Sequence, residues 1–177
     1  MPSPRETLVA ELRERGITYL APSDAKAIEA ITSDEALIMA LLDQPETRLQ
    51  LALVPLFIKR PKLAEVVSAV VEQISLSSAL TLQMLYMAAV YLQRWWYTRL
   101  SFYLDDMTLL PDLYSRQLNL PAADERFGKV GLCALAEAWT THSVYPFDHL
   151  AAINKTMTLF FEELKLEQSR HEPTPAG

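Results

Sequence analysis

The chain has 177 residues, of which 50% are hydrophobic and 21% charged, a balance that can bury a core and that excludes a disordered or fibrous protein. With 16 basic and 22 acidic side chains, the net charge of -6 sets the long-range field against polyphosphate and suits a protein partner, a basic one included. The single cysteine, Cys133, excludes an internal disulfide framework and fits a reducing setting.

The opening Met1-Pro2-Ser3-Pro4-Arg5-Glu6 lacks the basic-then-apolar order of a secretory signal, so the chain reads as cytoplasmic. Pro4 starts a helix with Leu8, Val9 and Leu12 on one face, and Gly16 stops it. Ile17 to Leu20 reads as a short extended linker. Ser23 and Asp24 offer N-caps for a helix through Ile28 and Ile31, and Ser33 or Asp34 restarts the chain with Leu37, Ile38, Leu41 and Leu42. Pro45 opens a further helix with Leu49, Ala52, Leu53, Leu56 and Phe57 on its core face, kinked at Pro55. Pro61 begins another, with Leu63, Val66, Val67, Val70 and Val71.

From Gln73 to Gln93 there is no charged residue, and Arg94-Trp95-Trp96 follows as a membrane anchor would. Six polar residues between Gln73 and Gln83 lower its hydrophobicity, so a buried central helix from Ser77 to Leu104, apolar nearly all round in its first half, is the expectation, with no membrane partner. A short helix follows from Leu109 through Leu118, closed before Pro121. Another is expected from Asp124 to Thr141, weakened at Gly128 and Gly131, and a last amphipathic one carries Ile153, Met157, Phe160, Phe161 and Leu164. No Asn-Gly or Asp-Gly hairpin occurs. The expected fold is all-α: a multi-helix bundle with short N-terminal hairpins around a long central helix. Residues 1–168 form one domain and 169–177 a disordered tail.

Leu41-Leu42-Asp43-Gln44-Pro45-Glu46-Thr47-Arg48-Leu49 through Leu53 resembles the turn of one HEAT-type repeat, with an acidic turn and a basic residue on the next helix; no second copy is evident. The segment Arg94-Trp95-Trp96-Tyr97-Thr98-Arg99-Leu100-Ser101-Phe102-Tyr103 interleaves arginine with aromatics. Such a sequence serves as core aromatics with snorkelling arginines, as a protein-interface hot spot, or as a single-stranded nucleic-acid surface. On an unbroken helix Trp95, Thr98, Arg99 and Phe102 share one side, and Trp96, Leu100 and Tyr103 another. Arg94, Trp95, Trp96, Arg99 and Tyr103 are the candidate interaction residues.

Gly128-Lys129-Val130-Gly131 matches the GxxG of KH modules, but no strands flank it, so close helix approach is the better reading. His142, His149 and His171 lack metal-ligand spacing, neither His-Glu-x-x-His nor Cys-x-x-Cys is present, and solvent-facing or capping roles are expected. Cys133, between Leu132 and Ala134, reads as a small hydrophobe, and Asp105-Asp106 is a weak pair for Mg²⁺. No catalytic residue, metal site or cofactor is assigned.

Three passages carry a resemblance: Gly16-Ile17-Thr18-Tyr19-Leu20-Ala21-Pro22-Ser23-Asp24, the Asp43 to Pro61 hairpin, and Leu110-Pro111-Asp112-Leu113-Tyr114-Ser115-Arg116 through Arg126-Phe127-Gly128. Together they resemble small, uncharacterised all-helical bacterial proteins that accompany minimal nucleotidyltransferases. The resemblance implies a companion subunit, the antitoxin or substrate-presenting half of a two-component system. A HEPN-type RNase would need an arginine several residues before a histidine on one helix. Arg126 is too far from His142, and Arg170 abuts His171. The sequence is therefore read as a non-enzymatic helical interaction subunit, with an RNA- or DNA-binding module second and an enzyme with dispersed acids third. Self-association stays open.

Overall fold

Helix α1 (Pro4–Glu14) forms where the sequence supplies a reciprocal cap: the Glu6 amide donates to Ser3 Oγ, and the Ser3 amide donates to the Glu6 carboxylate. Gly16, at φ 88°, ends the turn in a conformation that side chains resist, and its carbonyl accepts from Lys59 Nζ at 2.8 Å. Ile17 and Leu20 follow outside any helix, yet both are buried. The computed structural model describes residues 3–20, 33–123, 128–143 and 147–171, so the expected helix from Ser23 through Ile31 lies outside the described residues. Among the described residues there is no strand, and the fold is an all-α multi-helix bundle.

Ser33 caps α2 (Asp34–Leu42), whose Leu37, Ile38, Leu41 and Leu42 are buried. In the turn that follows, Gln50 Nε2 donates to the Leu42 and Gln44 carbonyls, holding the end of α2 from the next helix. That next helix is two: α3 (Thr47–Leu51) starts beyond Pro45, and α4 (Leu53–Lys59) follows a break at Ala52. The kink expected at Pro55 thus falls just after Leu51. Proline has no N–H for the Leu51 carbonyl four residues back, and its ring crowds that same carbonyl. Residues 51–58 are buried on all sides, so packing offsets the lost bond. Helix α5 (Leu63–Gln73) turns Leu63, Val67 and Val70 inward.

Helix α6 (Leu76–Trp95) starts at the Ser75 cap and is the centre of the bundle, packing on α4, α5 and α8 (Gly128–His142). Every residue from Leu82 to Gln93 is buried, whereas Leu76 in its first turn is 91% exposed. Most of this run, residues 82–90, lies in the first half of the expected Ser77 to Leu104 helix, so the all-round burial falls there as expected except at its exposed start. Among the described residues no helix is long and apolar enough to cross a membrane. The expected run to Leu104 is also interrupted: Trp96, at φ -103° and ψ 23°, separates α6 from α7 (Tyr97–Tyr103).

The helix expected from Leu109 to Leu118 is absent. Residues 104–123 form an irregular strap whose backbone is held by side chains of α6. Gln93 donates to the Thr108 carbonyl (3.0 Å) and accepts from the Leu110 amide (2.7 Å), and Arg94 donates to the Leu110 carbonyl (3.1 Å). Tyr86 and Tyr91 donate to the Pro111 and Pro121 carbonyls at 2.7 and 2.6 Å. Asp112 accepts from the Ser115 and Ala123 amides, and Asn119 sits at φ 55°. The Thr108, Leu110, Pro111 and Pro121 backbone groups are thus satisfied by α6 side chains. Residues 114–120 close local turns, such as the Leu118 amide to the Tyr114 carbonyl, and a continuous helix has less to gain.

Helix α8 presses Gly128 and Gly131 against Tyr91 of α6, the close approach the sequence suggested. Cys133 lies two residues past Gly131, about 200° around the helix, and is exposed rather than buried as expected. The start of the expected helix, residues 124–127, lies outside the described residues. Helix α9 (His149–His171) starts with Asp148 accepting from the Ala151 amide, buries Ile153, Met157, Phe160, Phe161 and Leu164, and packs on α3, α4, α7 and α8. It runs through residues 169–171, which the sequence placed in the tail; residues 172–177 lie outside the described residues.

Candidate interaction surface

The break at Trp96 decides how the aromatic-arginine segment is presented. On an unbroken helix Trp95 and Trp96 would diverge by about 100°. Here their rings stack at 4.9 Å and 25°, so aromatics assigned to opposite sides join one cluster. From Trp96 the contacts continue to Phe161 of α9 at 5.9 Å, from Phe161 to Tyr103 at 6.5 Å, and from Tyr103 to Phe102 at 5.0 Å. Five rings thus run unbroken from the α6–α7 elbow to the outer face of α7. Phe161 in the middle is buried, Trp95, Trp96 and Tyr103 are half-buried, and Phe102 is 67% exposed.

The cations take different roles. Arg99 is exposed, with its guanidinium carbon 3.9 Å from the Phe161 ring centre and 6.0 Å from that of Trp96. Lys129 of α8 lies 5.6 Å from the Trp95 ring. Arg94 stands apart, donating to the Val90 and Leu110 carbonyls and so fastening the strap to α6. Trp95, Trp96, Arg99 and Tyr103 therefore come together, and Arg94 acts behind them. Beneath this surface the Trp96 indole Nε1 is buried and, among the described residues, has no hydrogen-bond partner.

Phe161 and Lys129 complete the cluster from α9 and α8, far along the chain. Phe161 was legible only as part of an apolar helix face, and nothing local links it to Trp96. Tyr97 is 48% exposed and sits about 140° around α7 from Phe102.

The histidines are separate from this surface. His142 and His171 are exposed. His149 is half-buried, stacked on Trp139 at 4.6 Å and 11°, with Nε2 3.1 Å from Ser143 Oγ. Burial pushes its pKa below the ordinary value, against the opposing effect of Asp148. Among the described residues no group of three or more His, Cys, Asp or Glu side chains is placed to hold a metal ion. No family model, curated protein or solved structure matches the chain.

Proposed function

We propose that the chain is a helical protein-interaction subunit that engages its partner through the α6–α7 elbow. The observation that carries this reading is the continuous ring series ending in exposed Phe102, with Arg99 laid across its buried centre. Large aromatics and arginine dominate interface energetics, the aromatics because they bury much area at little entropic cost and arginine because its planar fork adds directed hydrogen bonds and stacking. Phe102 and Arg99 would be the anchors, and half-buried Trp95, Trp96 and Tyr103 would give them a rigid base. The companion or antitoxin role beside a nucleotidyltransferase-type partner, which the sequence resemblance implies, fits a chain that acts by docking.

The nucleic-acid alternative would use the same rings with the nearby cations on phosphate. All three nearby cations make contacts within the chain, Arg94 on carbonyls, Arg99 on the Phe161 ring and Lys129 on the Trp95 ring. Asp105 and Asp106 follow α7 directly and are exposed, adding local repulsion to the net charge of -6. These observations favour a protein partner.

The test is native co-purification from the source cell with the unchanged chain, Phe102→Ala and Leu76→Ala, reading both protein and nucleic acid. A stoichiometric protein lost with Phe102→Ala and retained with Leu76→Ala, an exposed leucine far from the elbow in sequence, is expected. A partner indifferent to Phe102→Ala, or recovery of nucleic acid alone, overturns the reading.

A further inference from the structure

Helix α9 places Phe161 toward the elbow, and Glu163, two residues later and about 200° around the helix, toward the residues after α1. Glu163 is 95% buried by its side chain's position against Thr18, being only 5% exposed. Its Oε1 accepts from both the amide and the hydroxyl of Thr18. Its Oε2 is buried and, among the described residues, has no hydrogen-bond partner, and the same holds for the hydroxyl of neighbouring Tyr19. The two unpartnered atoms are therefore not bonded to each other. Both residues line one cavity of about 310 Å³, walled by Leu159 and Leu166 and carrying two further carboxylates, Glu162 and Glu167.

A buried carboxylate oxygen left without a donor carries an unrecovered desolvation penalty, larger when the group is charged. Lys59, whose charge acts on Glu163, is already committed: its Nζ donates to the Gly16 carbonyl and to Glu167 at 2.9 Å. Arg170 lines the cavity as well, but it is exposed, and among the described residues no ion pair joins it to Glu163. Burial raises the Glu163 pKa despite the two Thr18 hydrogen bonds and Lys59. The missing element is a compact donor with positive charge and an apolar stem.

We propose that this cavity receives a primary ammonium group on an aliphatic stem, with the ammonium donating to Glu163 Oε2 and the Tyr19 hydroxyl oxygen and the stem lying along Leu159 and Leu166. An ammonium offers three N–H donors around one centre, enough for both orphan acceptors and for a carboxylate of the cavity wall. The stem replaces water against the exposed Leu166 side chain. The same chemistry is carried by a free alkylamine and by a lysine side chain of another protein. The site does not depend on the elbow, and its failure would leave the docking reading intact.

The experiment uses the full chain with ¹⁵N labelling and ¹³C-labelled glutamate carboxyls, titrated with n-butylammonium, n-butanol and Nα-acetyl-lysine methylamide. Saturable shifts at Thr18, Tyr19, Leu159 and Leu166 with both amines, a lowered Glu163 titration midpoint and no response to n-butanol are expected. Glu163→Gln should weaken amine binding at least tenfold, and Tyr19→Phe severalfold if the first variant does not fold. Phe102→Ala should bind unchanged, separating this site from the elbow. Tighter binding of the lysine derivative assigns the site to a protein side chain, and preference for n-butylammonium assigns it to a free amine. Equal binding by n-butanol, no saturable shift, or amine binding indifferent to both Glu163→Gln and Tyr19→Phe overturns the proposal.

Discussion

Replacing Gly131 by alanine sets two effects of opposite sign against each other. Alanine is favoured over glycine in a helix interior by about 1 kcal/mol, so on an isolated α8 the change should stabilise. In the bundle, a Cβ at Gly131 would lie 2.2 Å from Tyr91 Cε1 and 2.3 Å from Cδ1, far inside contact distance. The ring cannot swing aside freely, since Tyr91 is 1% exposed and its hydroxyl is bound to the Pro121 carbonyl. Overpacking a fixed core costs about 1–3 kcal/mol, and a clash this deep belongs at the upper end. The net expectation is about 2 kcal/mol of destabilisation, after the helix gain of about 1 is subtracted. With a urea dependence of about 2 kcal/mol per molar, the unfolding midpoint should fall by about 1 M. Tyr91→Ala removes the obstructing ring, so Gly131→Ala should cost much less in that background, and the double variant should be more stable than the sum of the singles. An unchanged or raised midpoint for Gly131→Ala alone would show that α6 and α8 do not touch at this point.

Two further outcomes follow from the strap and from α9. Gln93→Leu leaves the Leu110 amide and the Thr108 carbonyl without their buried partner; it should cost about 2 kcal/mol and speed amide exchange across 104–123 more than in α5, and uniform protection would refute the role of Gln93. His149 has a folded pKa below its unfolded value, so its contribution to stability is present above the unfolded pKa of about 6.5 and is lost as pH falls through the folded value. Unfolding midpoints should therefore fall on acidification below pH of about 6.5, the fall should be smaller in His149→Phe, and an NMR titration should place the ring below 6.5; a midpoint at or above that value refutes the buried stack on Trp139.

Much of the fold was legible because its signals act over three or four residues. The start at Pro4, the Ser33 cap, the stop at Gly16 and the apolar faces of α2, α5 and α9 each depend on neighbours within a turn. The aromatic-arginine segment was visible in composition for the same reason. Its presentation was not, because the stagger at Trp96 joins rings that a straight helix separates, and because Phe161 reaches them from another helix.

The sequence alone determined the helical class, most helix starts and the residues that must be buried, since propensity, capping and periodicity are local properties of the chain. Tertiary structure decided the rest. Residues 109–118 carry a helical pattern, yet Gln93, Arg94, Tyr86 and Asp112 bind the backbone across the strap and remove the incentive to coil. Glu163 reads as one more polar residue on α9, and only its meeting with Thr18, 145 positions away, buries it and leaves an oxygen without a donor. Such outcomes rest on which distant groups the packed bundle brings together, and no spacing along the chain encodes that in a form a single sequence displays.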